Sequence, residues 1–449
     1  MSNKYHNPSG FPENLPPEQI FEEEMKNSMR KTCSLFGYIP LETSAVEYLD
    51  TLASNGEINK EIYAITRALG EGSDAEPDRA LRFDLTIPFA RYVAQHYGDI
   101  VLPFKRFQIQ RVWRGERSQK GRFREFYQAD IDVIANEQLP LHLDAEVVTI
   151  IYQILQSFGI GSFTIHINNR KFLQGVLQEY GITDIASALR IIDKFDKIGR
   201  SAVKDLLIQE LQLSSEVSDT LLDLVERSIP IHEVNTFFQS ITGENALISE
   251  GKEELLEVFS YLETFPDGEG KFMFNPRIAR GLDYYTGSVF ETTIDGLERY
   301  GSICSGGRYA NLAERFINKS LPGVGISIGL TRLLDIIRNE KPELLSKHTY
   351  TSVLIGLRNE ENRLHSNEIA QALRENGIAT EVFYKGSISY KKQFEYKTKK
   401  QIPFFLIVNQ DTHVAISTSE NDEKEFNTAN EAIEYIISTV KTNSDICER

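Results

Sequence analysis

Two stretches of the chain, Phe104–Glu116 and Arg122–Ile134, alternate in character residue by residue, and a polar link, Arg117-Ser118-Gln119-Lys120-Gly121, joins them. A period of two puts neighbouring side chains on opposite faces of a strand. A short polar link ending in glycine marks a hairpin. In the second arm one face carries Arg122, Arg124, Phe126, Gln128, Asp130 and Asp132, and the other Phe123, Glu125, Tyr127, Ala129, Ile131 and Val133. In the first arm Gln108, Gln110, Val112, Arg114 and Glu116 oppose Phe107, Ile109, Arg111 and Trp113. Arg111 and Glu125 apart, each arm has an apolar face and a face of Arg, Gln and carboxylate. Such a hairpin commits the chain to an antiparallel sheet. Its polar face has two readings. One is the ordinary wet side of such a sheet. The other is a binding floor, because Arg and Gln make directed, multi-point hydrogen bonds. Phe126 among them offers a ring on which a nucleobase stacks while guanidinium groups hold phosphates.

The rest of the pattern surrounds this hairpin. Residues 17–36 read as a helix stopped by Gly37, and Asn55–Asp78 as a polar loop. A helix is expected over 140–158 and a strand over 162–168. From Lys171 to about Leu262 the spacing is helical nearly throughout, an inserted helical module. Strand character returns at Lys271–Phe274 and Ser288–Thr293. Gly301–Arg308 and Gly323–Gly329 alternate glycine with β-branched residues, the mark of a crowded sheet interior. A helix over about Leu330–Asn339 follows. Beyond Lys341–His348 the chain alternates strands (352–357, 380–384, 404–408, 413–417) with helices (360–376, 390–400, 429–440), a small α/β unit of about 100 residues.

Several chemistries are excluded by what the sequence lacks. The 449 residues carry 49 Lys+Arg against 65 Asp+Glu, a net charge of −16, which argues against a globally basic nucleic-acid binder but leaves room for a local basic patch. Cys33, Cys304 and Cys447 are far apart and odd in number, which fits a reducing cytoplasm. No apolar run reaches the length of a membrane span, and Met1–Pro16 has no secretory h-region. The eight histidines lack metal-ligand spacing, and His166 reads as an ordinary strand residue. Neither glycine-rich passage matches a P-loop or a dinucleotide fingerprint. The remaining candidate chemistry is electrostatic, with arginines and a metal-bound nucleotide. Arg280-Gly281-Leu282-Asp283-Tyr284-Tyr285-Thr286-Gly287 is a second charged cluster, read either as a surface turn or as part of a site. Six lysines fall within Glu381–Lys400 against two glutamates, either a solvated helix face or a nucleic-acid contact.

Val112-Trp113-Arg114-Gly115-Glu116-Arg117 with Gly121–Gln128 resembles motif 2 of class II aminoacyl-tRNA synthetases, and Arg280–Gly287 resembles the histidine-specific motif of the histidyl type. Leu81–Thr86, Ser305–Tyr309 and Gly323–Arg332 (motif 3) resemble further segments of that family. The resemblance covers nearly the whole chain. It implies an α+β catalytic domain on an antiparallel sheet over residues 1–335, with the helical insertion at about 171–262. A linker at 336–349 and an α/β anticodon-binding domain at 350–445 complete it. It implies activation of L-histidine by ATP with Mg²⁺, held mainly by the ATP, then transfer to tRNA(His), in a cytoplasmic homodimer. Arg114 and Arg280 would be the catalytic arginines. Glu116, Arg122, Phe126 and Arg332 would join Arg114 on ATP. Asp84, Thr86, Gln128, Asp132, Arg280, Tyr284 and Tyr285 would bind histidine. Gln119 and Lys120 would reach the acceptor end of the tRNA, and Lys391, Lys392, Lys399 and Lys400 the anticodon stem. A non-catalytic paralogue acting as a histidine-sensing regulatory subunit is the alternative. Against the family pattern, Ser44 and Ser118 stand where proline is usual, and Ala310 and Thr331 where acidic residues are.

Overall fold

The computed structural model describes residues 6–53, 61–68, 76–117, 121–241, 243–265, 271–278, 285–310, 312–408, 413–416 and 423–447. The chain divides into two compact units, residues 1–13 with 24–341 and residues 14–23 with 342–449.

The larger unit is built on a nine-stranded sheet: β1 (Ile39–Pro40), β2 (Phe104–Trp113), β3 (Glu125–Ile134), β4 (Phe163–Asn169), β5 (Ile229–Pro230), β6 (Phe272–Phe274), β7 (Tyr285–Ile294), β8 (Cys304–Tyr309) and β9 (Gly323–Gly329). Their spatial order is β1-β2-β3-β9-β8-β7-β4-β6-β5. The central six are antiparallel, while β1–β2 and β4–β6 are parallel pairs. The alternation of the hairpin resolves as expected. Ala129, Ile131 and Val133 of β3 and Val324, Ile326 and Ile328 of β9 are buried on the back of the sheet. The helix His142–Ser157, apolar along most of its length, is buried there too. Arg308 of β8 ties it down with a bidentate bridge to Asp144, at 3.0 and 2.6 Å.

The hairpin arms are shorter than the sequence pattern suggests. Strand geometry ends at Trp113 and resumes at Glu125, so Arg114–Glu116 and Arg122–Arg124 form an arch beyond the strand ends, held by Arg114 N–H donating to Arg124 O at 2.9 Å. The two exceptions to the polar-apolar rule pair with each other. Arg111 and Trp113 both donate to the Glu125 carboxylate on the back face, at 3.1 and 2.9 Å. The expected loop 55–78 contains a short strand, Ala64–Ile65, which joins Arg79–Leu81 and Val46–Tyr48 in a three-stranded sheet. Residues 170–262 are helical in six segments, interrupted by β5.

The smaller unit has a five-stranded sheet in the order Thr380–Val382, Val353–Gly356, Phe404–Val408, His413–Ile416, Glu423–Phe426. The first three are parallel and the last two antiparallel; the strand Glu423–Phe426 has no counterpart in the sequence pattern. Helices Arg363–Glu375 and Ala429–Cys447 pack with Val353, Ile355, Phe404 and Leu406 on one face. Helix Tyr390–Lys399 packs with Leu354 and Phe405 on the other.

Candidate active site

Strand register assembles the polar floor. Arg106 lies opposite Asp132, Gln108 opposite Asp130, Gln110 opposite Gln128 and Val112 opposite Phe126. The rows continue into β9, where Gly325, Ser327 and Gly329 lie opposite Asp132, Asp130 and Gln128, and into β8, where Gly307 lies opposite Gly325. Glycine is required here by close approach. A Cβ on Gly325 would stand 2.0 Å from Asp132 Oδ1, one on Gly307 2.7 Å from the Tyr285 ring, and one on Gly323 2.4 Å from the Tyr309 ring. The glycine-rich strands form a floor on which the side chains of neighbouring strands lie.

At one end of this floor is a cluster of carboxylates. Asp130 and Asp132 are 3% exposed. Arg106, fully buried, approaches Asp132 Oδ2 to 2.7 Å and Asp130 Oδ2 to 3.8 Å. Tyr309 donates its hydroxyl to Asp132 Oδ1 at 3.2 Å. Burial pushes Asp132 up to about 7, with Arg106 pulling down, Asp130 pushing up and Tyr309 pulling down. Burial raises Asp130 as well, against Arg106 and a hydrogen bond from Ser327. Asp84 precedes the helix Thr86–Gln95 and accepts from Ile87 N–H at 3.3 Å. Burial and Asp130 push Asp84 up to about 7 against the pull of Arg114. Gln128 donates to Ser327 Oγ at 3.0 Å, while its own buried Oε1 has no hydrogen-bond partner. Burial and mutual repulsion outweigh the pull of the nearby guanidinium groups on all three carboxyls, which suits the pocket to a cationic ligand.

At the other end lie arginines. Arg114 donates from Nε to Phe83 O at 3.0 Å, and its guanidinium stands 5.2 Å from the Phe126 ring centre. Glu116 receives Arg122 at 2.9 Å on its carboxylate and Arg124 at 3.1 Å on its backbone oxygen. Arg332, in the first turn of the helix Leu330–Glu340, donates to Gly121 O at 3.0 Å and Ser302 O at 2.8 Å. Burial, then Arg122 and Arg114, lower its pKa, with Glu116 and Glu291 offsetting only part of this, as expected where cations outnumber the anions beside them. Thr331, one of the departures from the family pattern, accepts Tyr127 N–H at 2.8 Å and so stitches this helix to β3. Ser44, another, accepts Val46 N–H on its hydroxyl at 3.2 Å.

Of the sequence-derived residues, Asp84, Thr86, Arg114, Glu116, Arg122, Phe126, Gln128, Asp132, Tyr285 and Arg332 are described. Gln119, Lys120, Arg280 and Tyr284 lie outside the described residues. Sequence reasoning gave no role to Arg106 or Tyr309. Extending the alternation two residues back from Gln108 puts Arg106 on the polar face. The buried Arg82, by contrast, is a structural clamp, donating to Thr43 O, Ser44 O, Gln110 Oε1 and Arg111 O. In the smaller unit Lys391, Lys392 and Lys399 are exposed. Lys400 is part-exposed and pairs with Glu381 at 3.0 Å. Lys397 is buried with its ammonium 5.1 Å from the Phe394 ring centre and is no surface charge.

A family profile described as histidyl-tRNA synthetase matches residues 10–333, and one described as anticodon binding domain matches residues 352–439. The chain is 45% identical over 397 residues to a histidine–tRNA ligase of Thermobifida fusca, covering 88% of this chain and 90% of that one. It is 40% identical over 433 residues to a histidine–tRNA ligase of Clostridium tetani, covering 95% and 97%. A crystal structure of histidyl-tRNA synthetase from Nostoc sp. PCC 7120 superposes with a TM-score of 0.86 at 34% identity, covering 96% of this chain and 99% of that one.

Proposed function

The chain belongs to the histidyl-tRNA synthetase family and is an ATP-dependent ligase joining histidine to tRNA; from that premise we propose how its site divides the work. In the first step a carboxylate oxygen of histidine attacks the α-phosphorus of ATP, the bond to the β-phosphate oxygen breaks, and pyrophosphate leaves. In the second, the terminal ribose hydroxyl of tRNA(His) attacks the activated carbonyl and AMP leaves. Neither step needs a protein nucleophile; both need in-line positioning and neutralised charge.

The arginine end of the floor takes the nucleotide. Phe126 stacks on the adenine and Glu116 accepts its amine, exchanging Arg122 for it. Arg114 holds the α-phosphate, with Arg122 and Arg332 on the remaining phosphate charge. The carboxylate end takes histidine. Asp84, Thr86 and Gln128 grip the α-ammonium, and Asp132 accepts an imidazole N–H opposite Tyr285. Arg280, from the histidine-specific motif with Tyr284, bridges the substrate carboxylate and the α-phosphate. Among the described residues no three acidic, His or Cys side chains gather to hold a metal. Mg²⁺ would be held by the phosphate oxygens of ATP and would offset their charge. The observation that carries this division is the segregation of charge along one sheet face, with Asp84, Asp130 and Asp132 at one end and Arg114, Arg122 and Arg332 at the other.

In the smaller unit the exposed Lys391, Lys392 and Lys399 support contact with the tRNA, and tRNA(His) is the partner. Exposed Leu35 and Ile39, before and on β1, and Val46 and Tyr48, on the three-stranded sheet, support a homodimer. No helix among the described residues is long and apolar enough to cross a membrane. A cytoplasmic location accords with the buried Cys33 and Cys304, neither of which is joined in a disulfide.

The test is exchange of labelled pyrophosphate into ATP with each amino acid in turn. Histidine alone is expected to support it. Histidine binding without exchange would place the chain with the non-catalytic regulatory paralogues instead.

A further inference from the structure

Arg106 is costly where it stands. Its guanidinium is fully buried, and Nε and Nη1 have no hydrogen-bond partner. Nη2 meets Asp132 at 2.7 Å and reaches Leu85 O at 3.4 Å, while the group lies 4.3 Å over the Phe89 ring. Buried ion pairs seldom stabilise a fold more than apolar packing of the same volume. Stability is therefore a poor reason for a half-satisfied arginine in a sheet interior. Its position suggests another. Asp132 is contacted from both sides, Oδ2 by Arg106 as an ion pair without hydrogen-bond geometry and Oδ1 by the Tyr309 hydroxyl, and its Oδ1 lies where Gly325 would carry a Cβ. Gly323 in turn makes room for the Tyr309 ring.

We propose that Arg106 and Tyr309 are the positioning pair of the amino-acid pocket: they fix the Asp132 carboxylate in one orientation over the glycine floor and keep it an acceptor, so that the side-chain ring of the substrate is selected by the N–H it donates. This rests on the reading of Asp132 as the ring's partner and adds what makes that partner selective. Without Arg106, Asp130 and Asp132 face each other without their ion-pair partner, and Arg114 and Arg82 act only on Asp130 and from farther off. One of them then takes a proton, and Asp132 is free to present an O–H where an acceptor is needed. A hydrogen-bonding site rejects analogues only while its own polar group is held in one state.

The ionisable groups facing Asp132 are Asp130 on its own strand, Arg106 from β2, Tyr309 from β8 and Tyr38 from the segment before β1. Asp84 and Arg114 act on it through Asp130. The experiment measures pyrophosphate exchange by the full chain from pH 5.5 to 9, with KM for histidine and for ATP taken separately. The variants are Asp132→Asn, Tyr309→Phe, Arg106→Lys and Arg106→Leu. Tyr309→Phe is expected to raise KM for histidine about tenfold, near the value of one lost hydrogen bond to a charged group. KM for ATP stays within about twofold, and the acid limb of kcat/KM for histidine moves to higher pH. Arg106→Leu goes further in the same direction, and Arg106→Lys restores part of the loss. If Arg106→Leu fails to fold, Tyr309→Phe and Arg106→Lys decide the matter. An unmoved acid limb with an unchanged histidine KM overturns the proposal, as does a parallel loss for histidine and ATP, which marks a purely structural ion cluster. If Asp132→Asn leaves histidine KM unchanged, the assignment of Asp132 falls and takes this one with it. Wild-type exchange that ignores histidine sinks the ligase reading itself.

Discussion

Asp84 shows how single residues here trade stability for binding. Its carboxyl, pushed up to about 7 by burial and Asp130, holds its proton more tightly in the fold than in the unfolded chain, where it ionises near 4. The sign follows from linkage. The stability tied to this group is present below about pH 4 and is lost as pH rises through about 7. At pH 8 the empty site therefore carries an unfavourable charge that the substrate ammonium neutralises. Asp84→Asn keeps an oxygen for Ile87 N–H and removes the charge. Ligand-free variant protein is expected to melt higher than wild type at pH 8, by about 1–2 °C for each kcal/mol relieved. The gain in melting temperature on adding histidine, growing from pH 6 to pH 8 in wild type, should be lost in the variant. Thermal melts at the two pH values with and without histidine check both. A variant melting lower than wild type at pH 8 would mean that Asp84 is structurally paired rather than held for a ligand.

At the scale of the strand, glycine spacing does what no side chain could. Gly325→Ala puts a methyl 2.0 Å from the present position of Asp132 Oδ1, so the carboxylate must turn away. A rise of about tenfold or more in histidine KM is expected, with ATP KM little changed, because the nucleotide end of the floor is untouched. Steady-state exchange kinetics with each substrate varied in turn measure this. Thr331→Val removes the acceptor for Tyr127 N–H and should cost about 1–3 kcal/mol in denaturant unfolding without altering either KM. The sequence foretold a good deal at this scale. Alternation put Arg114, Phe126, Gln128 and Asp132 on one face; register agrees for Phe126, Gln128 and Asp132, while Arg114 lies in the arch beyond the strand end. Glycine next to β-branched residues foretold a crowded interior, and β8 and β9 lie at the centre of the sheet. What stayed hidden were contacts across the chain. Nothing local to Arg82 tells that it clamps Thr43 and Ser44 rather than binding a ligand, and nothing local to Lys397 tells that it is buried. Period-two patterning speaks of faces, whereas partners come from the sheet order, which a sequence read alone does not give.

For the molecule as a whole, activation and tRNA contact are assigned to different units. Lys391→Glu, Lys392→Glu and Lys399→Glu combined should raise KM for tRNA about tenfold or more and flatten the salt dependence of aminoacylation. Histidine-dependent pyrophosphate exchange should remain at the wild-type rate. Aminoacylation at several salt concentrations, run beside exchange, checks this; equal loss in both assays would tie the lysines to folding. The sheet order has a further consequence for how the chain is made. β9 lies between β3 and β8, yet it is the last of the nine strands in the sequence. A ribosome that has delivered only the first 320 residues has released eight strands in two blocks, each with an inner edge awaiting the same missing partner. Those edges are open to pairing with another nascent chain until the keystone strand arrives. Polysome crowding and premature stop codons upstream of Gly323 are thus the circumstances in which aggregation of this protein is expected to begin.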